Sequence, residues 1–268
     1  MTVDYSTVTE LAGDEISQEQ IERLCHRYYW AGAYCGDKDV IEAACGTGPG
    51  LGYMAKRARS IRAGDYTQSV LQIAQQHYGD RIDLRNFDAQ DMPFEDRSAD
   101  VIILFEAIYY IPDVDRFINE CRRVLRDDGC VLIATANKDL FDFNPSPFSH
   151  QYYGVTELNE RFLNHGFSVE LYGYLSVYAV SLRQRLLRPL KKLATDLNLM
   201  PRSMAGKKLL KKVMFGNLIP MPAEIDEGMS EYTEPVLLSP NKPDKEHKVI
   251  YCVARKNRRS EFDSKGAM

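Results

Sequence analysis

Residues Val40 to Gly50 read VIEAACGTGPG, an apolar run carrying one acid, Glu42, that opens into a turn with glycines at 46, 48 and 50. Glycine tolerates positive φ and lets backbone approach a ligand closely, so this turn is suited to cradling one. A dinucleotide fingerprint would place a third glycine where Leu51 stands. Asp65 lies roughly 20 residues downstream, the offset at which a carboxylate accepts the two hydroxyls of a ribose. Its two acceptor oxygens suit NAD and other adenosine ligands equally, and a strand-end or helix-capping aspartate is the plainer alternative. In FDAQDMPF, the Asp88 carboxylate is placed to accept an exocyclic adenine amine and the Ala89 N–H to meet a ring nitrogen, with Met92 and Phe94 adding apolar contact.

These residues make sense only if the elements around them bring strand ends together. From Asp39 onward, strand-like and helix-like segments alternate with short connections, the pattern of a mostly parallel α/β sheet with helices on both faces. DVIEAA, SIRAGD, RIDLRNF, ADVIILF, CVLIATA, FSVELYGYL and KVIYCVAR read as seven strands, with ADVIILF apolar enough to be buried on both faces. In such a sheet the ligand crevice lies beyond the carboxyl ends of the strands, where each cluster above falls. Pro49 suits a first helical turn through GLGYMAKRA, and Thr67 suits a cap for QSVLQIAQQHY. Phe117, Ile118, Cys121, Val124 and Leu125 form a helical stripe after Asp113, with Gly129 as its stop.

Between the last two strands, residues 173–246 break the alternation as a helical insertion or cap. Leu186, Leu190, Leu193 and Leu197 recur at helical spacing, and residues 183–212 hold ten Lys or Arg against one acid, Asp196. Such helices either pack a leucine face and solvate a basic one, or present the basic face to an anionic acceptor or a membrane surface. Residues 1–37 read as an N-terminal helical lid whose Tyr28, Tyr29 and Trp30 fold over the ligand or pack on the sheet edge.

The 268 residues fit one domain with an insertion, and a net charge of −4 gives no general affinity for nucleic acid. The start carries neither a basic segment nor an apolar run, and the longest apolar runs are strand-sized, which points to the cytoplasm. Six cysteines without a C-x-x-C pair predict neither disulfide nor metal site.

Taken together, residues 39–138 resemble the cofactor half of class I S-adenosylmethionine-dependent methyltransferases, the type 11 group among them. The resemblance rests on E-x-x-C-G-x-G, an acid ending the second strand and an aspartate with a small residue after the third, in that order. It implies S-adenosyl-L-methionine as cofactor. Ala44, Gly46 and Gly48 would contact its amino-acid part, with Glu42 acting through the turn. Asp65 would hold the ribose, Tyr66 would flank the adenine, Asp88 and Ala89 would read its edge, and Phe105 and Glu106 would lie beneath the methionine. Where the family often has histidine or asparagine after the fourth strand, this chain has Tyr109 and Tyr110.

Methyl transfer from a sulfonium needs alignment and exclusion of water, and a base only for a protonated acceptor such as a hydroxyl. His150, in the long aromatic loop after the fifth strand, is a candidate base or a histidine that anchors the loop. Tyr109, Tyr110, Tyr152 and Tyr153 are candidates to line an acceptor pocket. The acceptor is expected to be a small polar molecule, anionic or glycosyl, methylated on a hydroxyl. An NAD-dependent dehydrogenase and a non-catalytic cofactor-binding module stay open as alternatives.

Overall fold

The computed structural model describes residues 5–7, 9–146, 148–178 and 218–257. In chain order, after a 3-10 turn at Tyr5–Thr7, its elements are β1 (Glu15–Ser17), α1 (Gln18–Cys35), β2 (Asp39–Ala43), α2 (Leu51–Ala55), β3 (Ser60–Asp65) and α3 (Gln68–Tyr78). There follow β4 (Asp83–Asn86), β5 (Ala99–Phe105), α4 (Val114–Val124), β6 (Leu125–Ala136), α5 (Val155–Asn164), β7 (Phe167–Ser176), β8 (Leu218–Pro220), β9 (Val236–Leu237) and β10 (His247–Lys256).

The central sheet runs β4-β3-β2-β5-β6-β10-β7-β9. Its parallel half, β4 to β6, places the ends of β2, β3, β4 and β5 at one edge, while β10 lies antiparallel between β6 and β7. All seven expected strands form, and the sheet has eight because the two-residue β9 pairs with the rim of β7. So short an exposed strand carries no periodicity of its own in the sequence. The strand period of two splits the core: Val40, Val101, Ile103, Leu132 and Tyr251 pack under α1, α2 and α3. Their neighbours Ile41, Ile102, Leu104, Ile133 and Cys252 pack against α4 and α5 on the other face.

Several expected boundaries shift. The helix after the glycine turn is only α2, and Pro49 precedes its N-cap Gly50. Helix α4 starts on Asp113, whose side chain accepts from the Arg116 N–H at 3.0 Å, and stops at Val124 rather than Gly129. Gly129 lies inside β6, at an irregularity where pairing jumps from Ala99–Leu125 to Val101–Cys130. Residues 173–178 continue and close β7, and residues 218–246 hold β8, β9 and turns rather than helix. The leucine and basic segments of 183–212 lie outside the described residues. Among the described residues no helix is long and apolar enough to cross a membrane.

The β3–β4 pairing depends on a missing side chain. A Cβ on Gly64 would sit 2.1 Å from the Arg85 carbonyl oxygen and 2.3 Å from the Phe87 ring. Backbone cannot yield there without opening the pair, so Gly64→Ala is expected to cost about 3 kcal/mol. A urea midpoint lowered at unchanged m-value would show it; an unaltered midpoint would contradict the contact.

Candidate active site

The segment from Ala43 to Leu51 is built by alternating left-handed residues: Ala44 at φ 55°, Gly46 at 60° and Gly48 at 75°. Two glycines accept that geometry freely, whereas Ala44 must be held in it. The hold comes from a ladder of bonds: Cys45 N–H to the Gly64 carbonyl at 3.0 Å, Gly48 N–H to the Cys45 carbonyl at 2.9 Å, and Gly46 N–H to Asp65 Oδ2 at 2.9 Å. Ala44 and Gly46 face a cleft, and Gly48 does not. Gly48 backs onto Leu51 and Tyr78, where a Cβ would lie 2.7 Å from Leu51 Cδ1. The Tyr78 hydroxyl donates to the Gly48 carbonyl at 2.6 Å and accepts from the Gly52 N–H at 3.2 Å, bracing the turn from behind.

The cleft, of about 550 Å³, opens beyond the carboxyl ends of β2 to β5. At its floor Glu42 is only 1% exposed. Its Oε1 accepts the Tyr28 hydroxyl at 2.6 Å, while the buried Oε2 has no hydrogen-bond partner among the described residues. Burial pushes this carboxyl up to about 7, against the opposing pull of the Tyr28 bond and Arg27. Tyr28 fits because Gly50 lacks a Cβ, which would overlap its ring at 2.1 Å.

Along the β3–β4 side, Asp65 accepts backbone N–H groups on both oxygens, from Thr67 at 2.8 Å and from Gly46. Burial raises its pKa and these bonds work against that rise. Tyr66 is exposed beside it, and Tyr5 crosses between Tyr66 and Tyr110 with ring centroids at 6.5 and 4.9 Å. Asp88 and Ala89 line the same wall, with Asp88 Oδ1 accepting the Gln90 N–H at 2.8 Å. Met92 and Phe94, expected to touch a ligand ring, are buried in the core instead, and Phe87 takes the wall position. Beyond the end of β4 the strand alternation no longer holds, and Phe87, Asp88, Ala89 and Gln90 all line the cleft.

On the β5 side, Phe105 and Glu106 line the cleft. Glu106 lies at φ 51°, fixed by its N–H to the Ala134 carbonyl at 2.7 Å, and its carboxylate meets Arg23 at 3.2 Å and Arg27 at 3.8 Å. The Tyr109 hydroxyl donates to Glu106 Oε2 at 3.3 Å, and its ring stacks on Tyr152 with centroids at 4.2 Å. Burial, with the Glu106 charge in support, pushes the Tyr109 phenol well above its ordinary value. Tyr110 shares the wall and hydrogen-bonds the Ser146 hydroxyl. Tyr152 stands behind Tyr109, and Tyr153 is buried under the guanidinium of Arg161. His150 is exposed at the rim, its N–H donating to the Tyr109 carbonyl at 2.7 Å.

Helix α1 packs across the sheet: Trp30 stacks on Tyr251 at 4.6 Å, Tyr29 donates to the Asp226 carbonyl at 2.6 Å, and of the three aromatics only Tyr28 reaches the cleft. Residues not singled out in the sequence complete the walls, chiefly Gln20, Arg23 and Arg27 on one stripe of α1, with Tyr5, Thr9 and Met221. The stripe was visible as an i, i+3, i+7 polar series between the buried Ile21, Leu24 and Tyr28. Met221 arrives through the antiparallel pairing of β8 with β1, which local periodicity does not reveal.

Comparison with known proteins gives this cleft its class. The family described as "Methyltransferase domain" matches residues 41–133, the span from β2 to β6 that carries the glycine turn, Asp65, Asp88 and Glu106. The chain is 34% identical over 153 residues to a probable S-adenosylmethionine-dependent methyltransferase of Mycolicibacterium smegmatis, covering 56% of each. It is 37% identical over 95 residues to a probable phthiotriol/phenolphthiotriol dimycocerosates methyltransferase of Mycobacterium ulcerans, covering 34% of this chain and 37% of that one. Its fold matches the crystal structure of a putative methyltransferase from Bacillus halodurans at TM-score 0.56 and 18% identity, covering 87% of this chain and 98% of the other. Residues 41–133 thus match a methyltransferase domain. The chain spans about half the length of the first curated relatives it matches.

Proposed function

We propose that this protein transfers the methyl group of S-adenosyl-L-methionine to a hydroxyl of a small polar or glycosyl acceptor. The observation that carries the donor half is the buried Oε2 of Glu42 at the floor of a cleft, unpartnered among the described residues. A buried carboxylate oxygen without a donor is costly, and an ammonium group is the complement it lacks. Gly46 adds a wall with no side chain, and Asp65 and Asp88 add acceptor oxygens at the ends of adjacent strands. These residues fit a donor with an amino-acid end and an adenosine end. Glu42 would hold the ammonium, Ala44 and Gly46 the amino-acid backbone, Asp65 the ribose and Asp88 with Ala89 the adenine edge. Tyr66, Phe105 and Glu106 would flank the remaining surface, with Gly48 supporting from behind.

The bound donor supplies an electrophilic methyl on a sulfonium, and the protein's part is to align the acceptor and exclude water. Tyr109 donates its O–H to Glu106 and so offers its phenol oxygen as the hydrogen-bond acceptor that orients the incoming hydroxyl. His150 at the rim is the group that takes the hydroxyl proton. Support for a hydroxyl acceptor also comes from the Mycobacterium ulcerans relative, whose name specifies a triol.

Calorimetry with S-adenosylhomocysteine and with NADH tests the donor assignment, and binding of NADH alone would overturn it. With radiolabelled methyl donor and fractionated extract, a labelled small molecule is expected; tight donor binding with no transfer to any fraction would make this a non-catalytic module. Once a labelled fraction is in hand, His150→Gln should lower turnover roughly 100-fold and leave donor affinity unchanged. Unchanged turnover would limit His150 to anchoring its loop.

A further inference from the structure

Helix α1 crosses the sheet from β10 to β2, as its side-chain contacts record in order. Glu19 pairs with Lys248 of β10 at 2.8 Å, Arg23 with Glu106 after β5 at 3.2 Å, and Tyr28 with Glu42 of β2 at 2.6 Å. Asp65 and Asp88, at the ends of β3 and β4, lie on the far side of β2 from this helix start. Arg23 therefore enters the cleft on the side away from the two aspartates, next to Tyr109. Arg27, one turn on, stands close to Glu106, and its charge is felt by Glu42.

Both guanidiniums line the cleft, and the Glu106 carboxylate lies within 4 Å of each. Only the Arg23 contact is a hydrogen bond; the Arg27 contact, at 3.8 Å, is too long for one. Among the described residues the buried Nε of Arg27 has no hydrogen-bond partner. Two planar forks that line one cleft and share one carboxylate have donors to spare and are arranged to receive a second, two-oxygen anion.

We propose that Arg23 and Arg27 bind an acidic group, carboxylate or phosphate, of the methyl acceptor, with Glu106 as the resident counter-ion between them. This rests on the methyl-transfer reading and narrows its substrate to acid-bearing hydroxyl compounds. Arg23 is the specificity-determining residue, because it lies farther from the donor wall. The same anion chemistry could instead be met by the carboxylate of the donor's amino-acid end, and the experiment separates the two sources.

Inorganic phosphate is the probe, added to the protein saturated with S-adenosylhomocysteine and compared with chloride at equal ionic strength. Phosphate is expected to bind the loaded protein, and Arg23→Gln to weaken that binding at least tenfold while S-adenosylhomocysteine affinity stays within twofold of wild type. Glu106→Gln, which removes the competing carboxylate and keeps both guanidiniums, is expected to tighten phosphate severalfold, and it serves if the arginine variant does not fold. The proposal is overturned if phosphate binds the loaded protein no better than chloride. It is equally overturned if phosphate competes with S-adenosylhomocysteine and Arg23→Gln weakens the latter tenfold, which would assign the arginines to the donor carboxylate. Failure of the wild-type protein to bind S-adenosylhomocysteine at all would instead refute the methyl-transfer reading beneath it.

Discussion

Replacing Glu42 by Gln is expected to weaken S-adenosylhomocysteine roughly 100-fold at pH 8 and, at that same pH, to make the ligand-free protein more stable relative to wild type. The two effects share one cause. Burial raises the Glu42 carboxyl from an ordinary 4.5 to about 7, so the folded chain holds a proton there that the unfolded chain has released. The wild-type protein therefore loses stability from this group as pH climbs from 4.5 through about 7. A shift of that size corresponds to about 3 kcal/mol at pH 8, and Gln, which does not ionise, escapes it. The Tyr28 hydroxyl still finds an amide oxygen, so the pocket keeps its shape. Denaturant melts of both proteins should show a stability difference that widens by about 3 kcal/mol between pH 4.5 and 8 in favour of the variant. A pH-independent difference would mean the carboxyl is not buried as described.

The wild-type pH profile alone would hide this, because a second buried group slopes the other way. His26 is enclosed between Tyr251, which it meets at 2.8 Å, and the Thr233 carbonyl at 2.7 Å, and burial lowers its pKa from 6.5 to about 4. Its neutral form belongs to the fold, so its contribution is complete above 6.5 and is lost as pH falls through 4. Over nearly the same window one group gains what the other loses. The comparison of variant with wild type removes His26 from both sides.

What could be read from the chain, and what could not, follows from the range of the interactions involved. ADVIILF and CVLIATA announced central strands because a strand buried on both faces must be apolar throughout, and the acids at strand ends were legible because a parallel sheet puts its ligand edge there. Glu42 was found as a motif position, but its partner Tyr28 was not, since that bond joins a helix to a strand on an adjoining layer. Gly48 looked like a ligand contact because glycine is needed both for positive φ and for close packing. The Tyr78 and Leu51 contacts show that packing, together with its positive φ, rather than a ligand accounts for it here. Arg23 and Arg27 carried a legible spacing, yet an arginine stripe on a helix usually faces solvent, and a cleft cannot be inferred until the helix is laid over β5. Residue 221 reaches the wall from a segment that pairs with residues 15–17, a contact no local pattern encodes.

Asp65 allows the donor assignment to be divided into its two ends. Each of its oxygens already accepts one backbone N–H, from Thr67 and from Gly46, so the carboxylate ties the glycine turn to the end of β3 while leaving lone pairs for a ligand. In Asp65→Asn one oxygen becomes an NH₂, which would point a donor at a backbone donor. The turn loses a strut and the site loses an acceptor. The ligand-free protein is expected to be about 1 to 2 kcal/mol less stable, and S-adenosylhomocysteine roughly 100-fold weaker. Methylthioadenosine, which keeps the adenosine and lacks the amino-acid end, separates this from the Glu42 effect. Asp65→Asn should weaken it as severely as it weakens S-adenosylhomocysteine, whereas Glu42→Gln should leave it within a few-fold of wild type. If Asp65→Asn bound methylthioadenosine as the wild type does, Asp65 would be a strut alone, and the ribose would have to find its acceptor elsewhere on the β3–β4 wall. If Glu42→Gln weakened both ligands equally, the unpartnered Oε2 would be acting on the turn rather than on an ammonium. The pair of variants and the pair of ligands thus test the two ends of the donor site independently, without knowledge of the acceptor.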